Sequence, residues 1–187
     1  SGRQVKDNLN PSLPEPGECK VEQKMNENLK ISDEGLAHIK RWEGYELEVY
    51  DDGVGYLTAG VGHLLSEDEK KKLKLGDRVT EEQVDGWLRK DIKEAEEAVK
   101  RYAHVELTQG QFDSLVSFTF NVGENALRKS SLLRLLNAGQ VEDAADEFER
   151  WVYAKGRKLR GLVARREAEQ KLFLKGAFPN DTNTESA

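Results

Sequence analysis

Between Trp42 and His63 the chain reads WEGYELEVYDDGVGYLTAGVGH, and no other stretch limits the fold so strongly. Residues Glu46 to Tyr50 alternate polar and apolar, and Val54 to Thr58 are rich in β-branched and aromatic types. That pattern predicts a hairpin turning at Asp51-Asp52-Gly53. Upstream, Ser32 or Asp33 suits an N-cap, and Leu36, Ile39 and Trp42 recur at helical spacing. A helix that ends at Glu43 and runs straight into a hairpin points to a mainly helical α+β fold.

The same stretch carries a candidate chemistry. Eight residues separate Glu43 from Asp52, and five more separate Asp52 from Thr58. A hairpin folded back on the helix brings Asp52 and Thr58 towards Glu43. Cleaving a glycosidic bond takes one carboxyl that holds a proton and a second that stays ionised. Burial beside Trp42 favours the protonated form of Glu43, while the wet glycine turn leaves Asp52 charged. Thr58 offers a hydroxyl that both donates to and accepts from a water. Gly60 and Gly62 let the backbone approach a ligand closely. Asp51 is an adjacent alternative to Asp52, although the spacing favours Asp52. The bland reading of the pair is solvated surface on an acidic protein.

The order Glu43, Asp52, Thr58, Gly60-Val61-Gly62-His63 resembles the phage T4-type lysozymes, glycoside hydrolase family 24. The resemblance continues in Phe120-Asn121-Val122-Gly123, Ser130-Ser131-Leu132-Leu133, Arg150-Trp151-Val152-Tyr153-Ala154, and Gly161-Leu162 followed by Arg165-Arg166-Glu167, where it is nearer to lambdoid-phage endolysins. It covers roughly residues 31–176. It implies hydrolysis of the β-1,4 bond between N-acetylmuramic acid and N-acetylglucosamine in peptidoglycan. Glu43 would be the general acid, Asp52 the support for water or oxocarbenium charge, and Thr58 the water-positioning group. Gly62, Leu64, Phe120, Asn121 and Ser131 are the substrate-contact candidates. Phe120 and Asn121 suit the C–H patches and hydroxyls of a sugar, and Phe120 also suits a core. No cofactor or metal is implied, and His63 reads as a structural hydrogen-bonding residue. The implied setting is phage-encoded: synthesis in a host cytoplasm and action on the wall in the periplasm, by an export route the sequence does not give.

The remaining chain carries further helix signals. Thr80-Glu81-Glu82-Gln83 is a capping box, and Val84, Trp87, Leu88, Ile92, Ala95 and Val99 form one stripe behind it. They predict a helix over 80–102, long enough to join two lobes, and the resemblance implies that it joins an N-terminal lobe (31–79) to a helical C-terminal lobe (103–176). Thr108 and Gln111 open a further helix with a dense apolar face, and Ser130 or Ser131 caps another. Lys155-Gly156-Arg157-Lys158 reads as a basic loop before a last helix. Residues 1–30 read as a flexible polar extension, with a short helix conceivable at Val21–Leu29, and 177–187 as a disordered tail.

A net charge of −6 argues against a general nucleic-acid binder, yet residues 150–175 are strongly basic and could attract an anionic wall. With Cys19 alone, no internal disulfide exists. No apolar run approaches membrane-spanning length, and a monomer is expected. The chain opens on Ser1-Gly2 without methionine, compatible with removal of an export or anchor segment. Two other readings stay open: a catalytically silent wall-binding or tail-assembly module on the same scaffold, and a lytic transglycosylase, which uses one acid and no water.

Overall fold

The structure, a computed structural model, describes residues 25–176. The proposed tail and most of the proposed extension fall outside them; of Val21–Leu29, residues 21–24 lie outside and Met25–Asn28 form a turn in place of the short helix. Helix α1 (Asp33–Glu43) starts where Ser32 Oγ accepts from the Gly35 N–H. Acidic Asp33 and Glu34 sit in its first turn and basic Lys40 and Arg41 in its last, matching the helix dipole. Three antiparallel strands follow, β1 (Glu46–Asp51), β2 (Leu57–Gly60) and β3 (His63–Leu64), in that spatial order. The hairpin differs from its expected form. Tyr50 pairs with Thr58 and Asp51 with Leu57, so the turn takes in residues 52–56 and Val54 lies exposed within it. Two glycines, Gly53 and Gly55, at φ 94° and 91°, account for the longer turn. β3 was not foreseen; it is too short to show a period.

After α2 (Glu67–Lys70) the outer edge of β1 is covered by residues 76–79, through Val49 N–H to Asp77 O at 2.8 Å and Val79 N–H to Leu47 O at 2.9 Å. The expected single helix over 80–102 is two, α3 (Glu81–Asp91) and α4 (Lys93–Tyr102), with Ile92 between them at φ −81°, ψ −7°. The helix is interrupted there, where its stripe passes from one core to another. Val84 packs with Val49, Ala59, Leu65 and Val79 beneath the sheet, whereas Leu88, Ile92, Ala95 and Val99 join the larger helical core.

That larger core surrounds α5 (Gln109–Val122), which is buried continuously from Gln111 to Thr119. Its Thr108 capping box forms as expected, as does the one at Thr80. Helices α6 (Glu124–Lys129), α7 (Ser131–Asn137) and α8 (Val141–Asp146) and a 3₁₀ turn at Glu147–Arg150 wrap it. Phe118 meets Phe148 and Trp151 edge-on, at centroid distances of 5.5 and 5.2 Å. The expected basic loop is a tight hairpin of β4 (Tyr153–Ala154) and β5 (Arg157–Lys158). Its turn residues Lys155 and Gly156 both have positive φ, 50° and 77°, as a two-residue hairpin turn demands. Helix α9 (Arg160–Leu174) closes the fold along α5. Gly110 allows this approach: a Cβ there would stand 2.5 Å from the Leu172 carbonyl oxygen. Among the described residues no helix is long and apolar enough to cross a membrane.

Candidate active site

Glu43 is the last residue of α1, and its side chain is 27% exposed. Its Oε1 accepts from Arg165 Nη1 of α9 at 2.6 Å. The partial burial expected beside Trp42 is therefore joined by an ion pair with a guanidinium carried by α9. Glu43 Oε2 takes no hydrogen bond among the described residues.

Asp52 opens the exposed turn. Its Oδ1 accepts from the backbone N–H groups of Val54 at 3.0 Å and Tyr56 at 3.2 Å, which leaves Oδ2 without a protein partner among the described residues. Asp51 does the same work one residue earlier, accepting from Gly53 N–H at 2.8 Å and Gly55 N–H at 3.2 Å. Both acids thus build the turn by side-chain to backbone bonds. Thr58, only 3% exposed, lies on β2 between Tyr50 and Leu64, and its Oγ1 donates to the Tyr56 carbonyl at 3.2 Å. The Tyr56 backbone therefore ties Asp52 and Thr58 into one unit. Glu43 makes its hydrogen bond to α9 and not to either of them.

The remaining candidates are spread over both cores. Gly62 lies in the β2–β3 turn at φ 62°, and Leu64 on β3 is 56% exposed. Phe120 packs partly against the helical core, while exposed Asn121 beside it bonds through Oδ1 to Arg166 Nη2. Ser131 is the half-buried first residue of α7; the cap is Ser130, whose Oγ accepts from Leu133 N–H at 3.0 Å. His63 stacks on Trp87 at 4.5 Å and places Nε2 3.0 Å from Glu69. Against burial, which pushes it up, the Ser66 N–H and the His63 ring bring the Glu69 carboxyl below the usual carboxylate range. No group of three or more His, Cys, Asp or Glu side chains is arranged to hold a metal ion among the described residues.

The sequence matches the phage lysozyme family over residues 40–169. The chain belongs to that family. It is 37% identical over 146 residues to the endolysin of Salmonella phage P22, covering 78% of this chain and 99% of the relative. It is 40% identical over 154 residues to the endolysin of Bacillus phage B103, of which it spans 57% of the length and which covers 81% of this chain. Among solved structures, a P22 lysozyme mutant superposes with a TM-score of 0.69 at 35% identity, covering 78% of this chain and 99% of that one. The muramidase domain of SpmX from Asticaccaulis excentricus gives 0.65 at 38% identity, covering 78% and 98%. Family membership makes the chain a lysozyme, an enzyme of the peptidoglycan-hydrolase class.

In this lysozyme the structure adds residues to which the sequence reading assigned no site role. Arg165, Arg166 and Glu169 are all buried on α9, and both arginines donate to the Glu169 carboxylate. Leu162, Arg165, Arg166, Glu169, Leu172 and Phe173 follow a helical stripe, so three charges fall on an otherwise apolar face. That placement was the available signal. Burial pushes the Glu169 carboxyl up, against the pull of Arg166 and Arg165. Burial likewise pushes the Arg166 guanidinium down, against the attraction of Glu169. On α1, burial first, then the charges of Arg165 and Arg41, pushes the His38 imidazole down to about 4.

Proposed function

We propose that this lysozyme hydrolyses the β-1,4 bond between N-acetylmuramic acid and N-acetylglucosamine, with Glu43 as general acid, Asp52 supporting the attacking water or the oxocarbenium charge, and Thr58 positioning that water. The observation that carries this reading is shared by the two carboxylates: each has one oxygen committed to the protein and one without a protein partner. The committed oxygen fixes the orientation, and the open one is left for the glycosidic oxygen or for water. Sugar seated over Glu43 removes the water around its exposed part, which favours the protonated acid that donation requires.

A substrate cleft between the sheet core and the helical core accounts for the spread of the contact candidates. Gly62 and Leu64 contribute from the sheet side, and Phe120, Asn121 and Ser131 from the helical side. The wall outside the cytoplasmic membrane is the site of action proposed for this chain, as for an endolysin.

The test is mass spectrometry of fragments released from purified peptidoglycan by the parent and by Glu43→Gln. Reducing muramic ends made by the parent and at least about a hundredfold less by the variant are expected, in line with loss of a general acid. Anhydro ends would replace hydrolysis by transglycosylation. Binding with no fragments would leave a silent scaffold, and full turnover by Glu43→Gln would remove Glu43 from the mechanism.

A further inference from the structure

Glu169 is completely buried, which pushes its carboxyl up, and two guanidinium donors hold the carboxylate form against that burial, a charge an apolar residue of similar volume would spare the core. Its surroundings account for that charge. Oε1 accepts from Arg165 Nε at 3.0 Å and from Arg166 Nη1 at 2.6 Å, and Oε2 from the same Arg166 Nη1 at 2.6 Å. Ser117 Oγ of α5 approaches Oε1 at 3.4 Å. Arg165 is further held by Nη2 to the Ser117 carbonyl at 3.1 Å, so Nη1 is the nitrogen directed to Glu43. Arg166 is further held by Nε to the Trp151 carbonyl at 3.0 Å, and its Nη2 meets Asn121.

Four charges are bonded together, with Arg41 and Glu34 of α1 the further charges that act at His38 beside them. Arg165 and Arg166 contribute two positive charges, Glu169 one negative, and Glu43 the second negative. The other groups brought in by α5 and by the segment before β4 are neutral: Ser117, Asn121 and the Trp151 carbonyl. From α1, His38 faces the same arginines with its ring held neutral at ordinary pH. With Glu169 in place, Glu43 faces a net single positive charge; without it, two. A doubled positive field would hold Glu43 as a carboxylate and deprive it of the proton to be donated.

We propose that Glu169 is a positioning residue of the acid site: it fixes Arg165 against Glu43 and Arg166 against Asn121, and its charge offsets one guanidinium so that Glu43 can hold a proton. This rests on Glu43 being the acid. One buried carboxylate thereby sets both the orientation of the acid and the cleft-wall amide. Locking supporting side chains in this way is what a preorganised site needs.

The experiment is steady-state kinetics with pH profiles on purified peptidoglycan for the parent, Glu169→Gln, Arg166→Met and the double variant, each checked for folding by circular dichroism. Glu169→Gln is expected to lower kcat at least about tenfold with KM within about twofold, and to move the basic limb of kcat/KM to lower pH. Arg166→Met removes a positive charge and moves that limb to higher pH. Removing both partners restores the net charge, so the double variant returns the limb towards the parent position, a rescue that lost packing alone does not produce. If Glu169→Gln does not fold, the limb of Arg166→Met still has to lie above that of the double variant. Equal limbs, or a folded Glu169→Gln with parental kcat and limb, overturn the inference. An inactive Glu43→Gln beside such a result leaves the acid assignment standing, whereas a fully active Glu43→Gln removes both.

Discussion

Glu43 is oriented by a residue 122 positions away in the chain, whereas Asp52 is oriented by backbone groups two and four positions ahead of it. The first arrangement depends on the Arg165 side chain of α9 reaching the end of α1 and on a buried set of charges that must remain complete. The second is built within one glycine turn, open to water, and depends on little beyond that turn. The difference teaches that Glu43 is tied to the stability of the helical core, while Asp52 is close to independent of it. A buried charge that loses its partner is costly; a solvated turn that loses a charge keeps its hydrogen bonds.

The sharpest break in that contrast comes from Arg165→Met. It leaves Glu169 with one guanidinium and Glu43 with none, and is expected to cost about 3–5 kcal/mol of stability, read from urea unfolding at constant slope. A loss below about 1 kcal/mol would mean that the cluster is not a unit. Next is Asp52→Asn, whose amide oxygen still accepts from Val54 and Tyr56. Activity is expected to fall about a hundredfold while stability changes by less than about 1 kcal/mol. Asp51→Asn should retain activity within about tenfold, and the reverse ranking of the two would transfer the role to Asp51.

A smaller effect is expected from Gly55→Ala. No atom crowds a Cβ there, but φ is 91°, so the turn alone is strained by about 1–2 kcal/mol, seen as a lower thermal midpoint. The smallest concerns His38. Its folded value of about 4 lies below the ordinary 6.5, so the unfolded chain takes up the proton first as pH falls. The stability due to neutral His38 is fully present above pH 6.5 and is lost as pH falls towards 4, by about 1 kcal/mol after allowance for its partial exposure. Parent and His38→Gln unfolding curves taken across that window should converge towards its acid end; parallel curves would show that the imidazole is not held neutral.

Much of the local architecture was legible in the chain. The capping boxes at Thr80 and Thr108, the helix ending at Glu43 and the hairpin after it all rest on interactions within a few residues, and short-range patterns report those. Where the reading differed, a longer-range cause is present. The 80–102 stripe keeps a helical period through Ile92, yet its two ends pack on different cores and the helix is interrupted between them. The β4–β5 hairpin was hidden because its turn uses Lys155 where Asn or Asp would have marked it. The buried face of α9 was hidden because Arg165, Arg166 and Glu169 look like solvated charges until packing turns them inwards.

By itself, then, the sequence determined the family motif of Glu43, Asp52 and Thr58, the turn chemistry of Asp51 to Gly55, and the caps that start the main helices, because each is settled by neighbours along the chain. Only the tertiary structure decided that Arg165 stands against Glu43, that Arg166 reaches Asn121, and that Glu169 links them. Those contacts join α1, α5 and α9 across the fold, and charges can be buried together only once all three helices are in place to supply their partners.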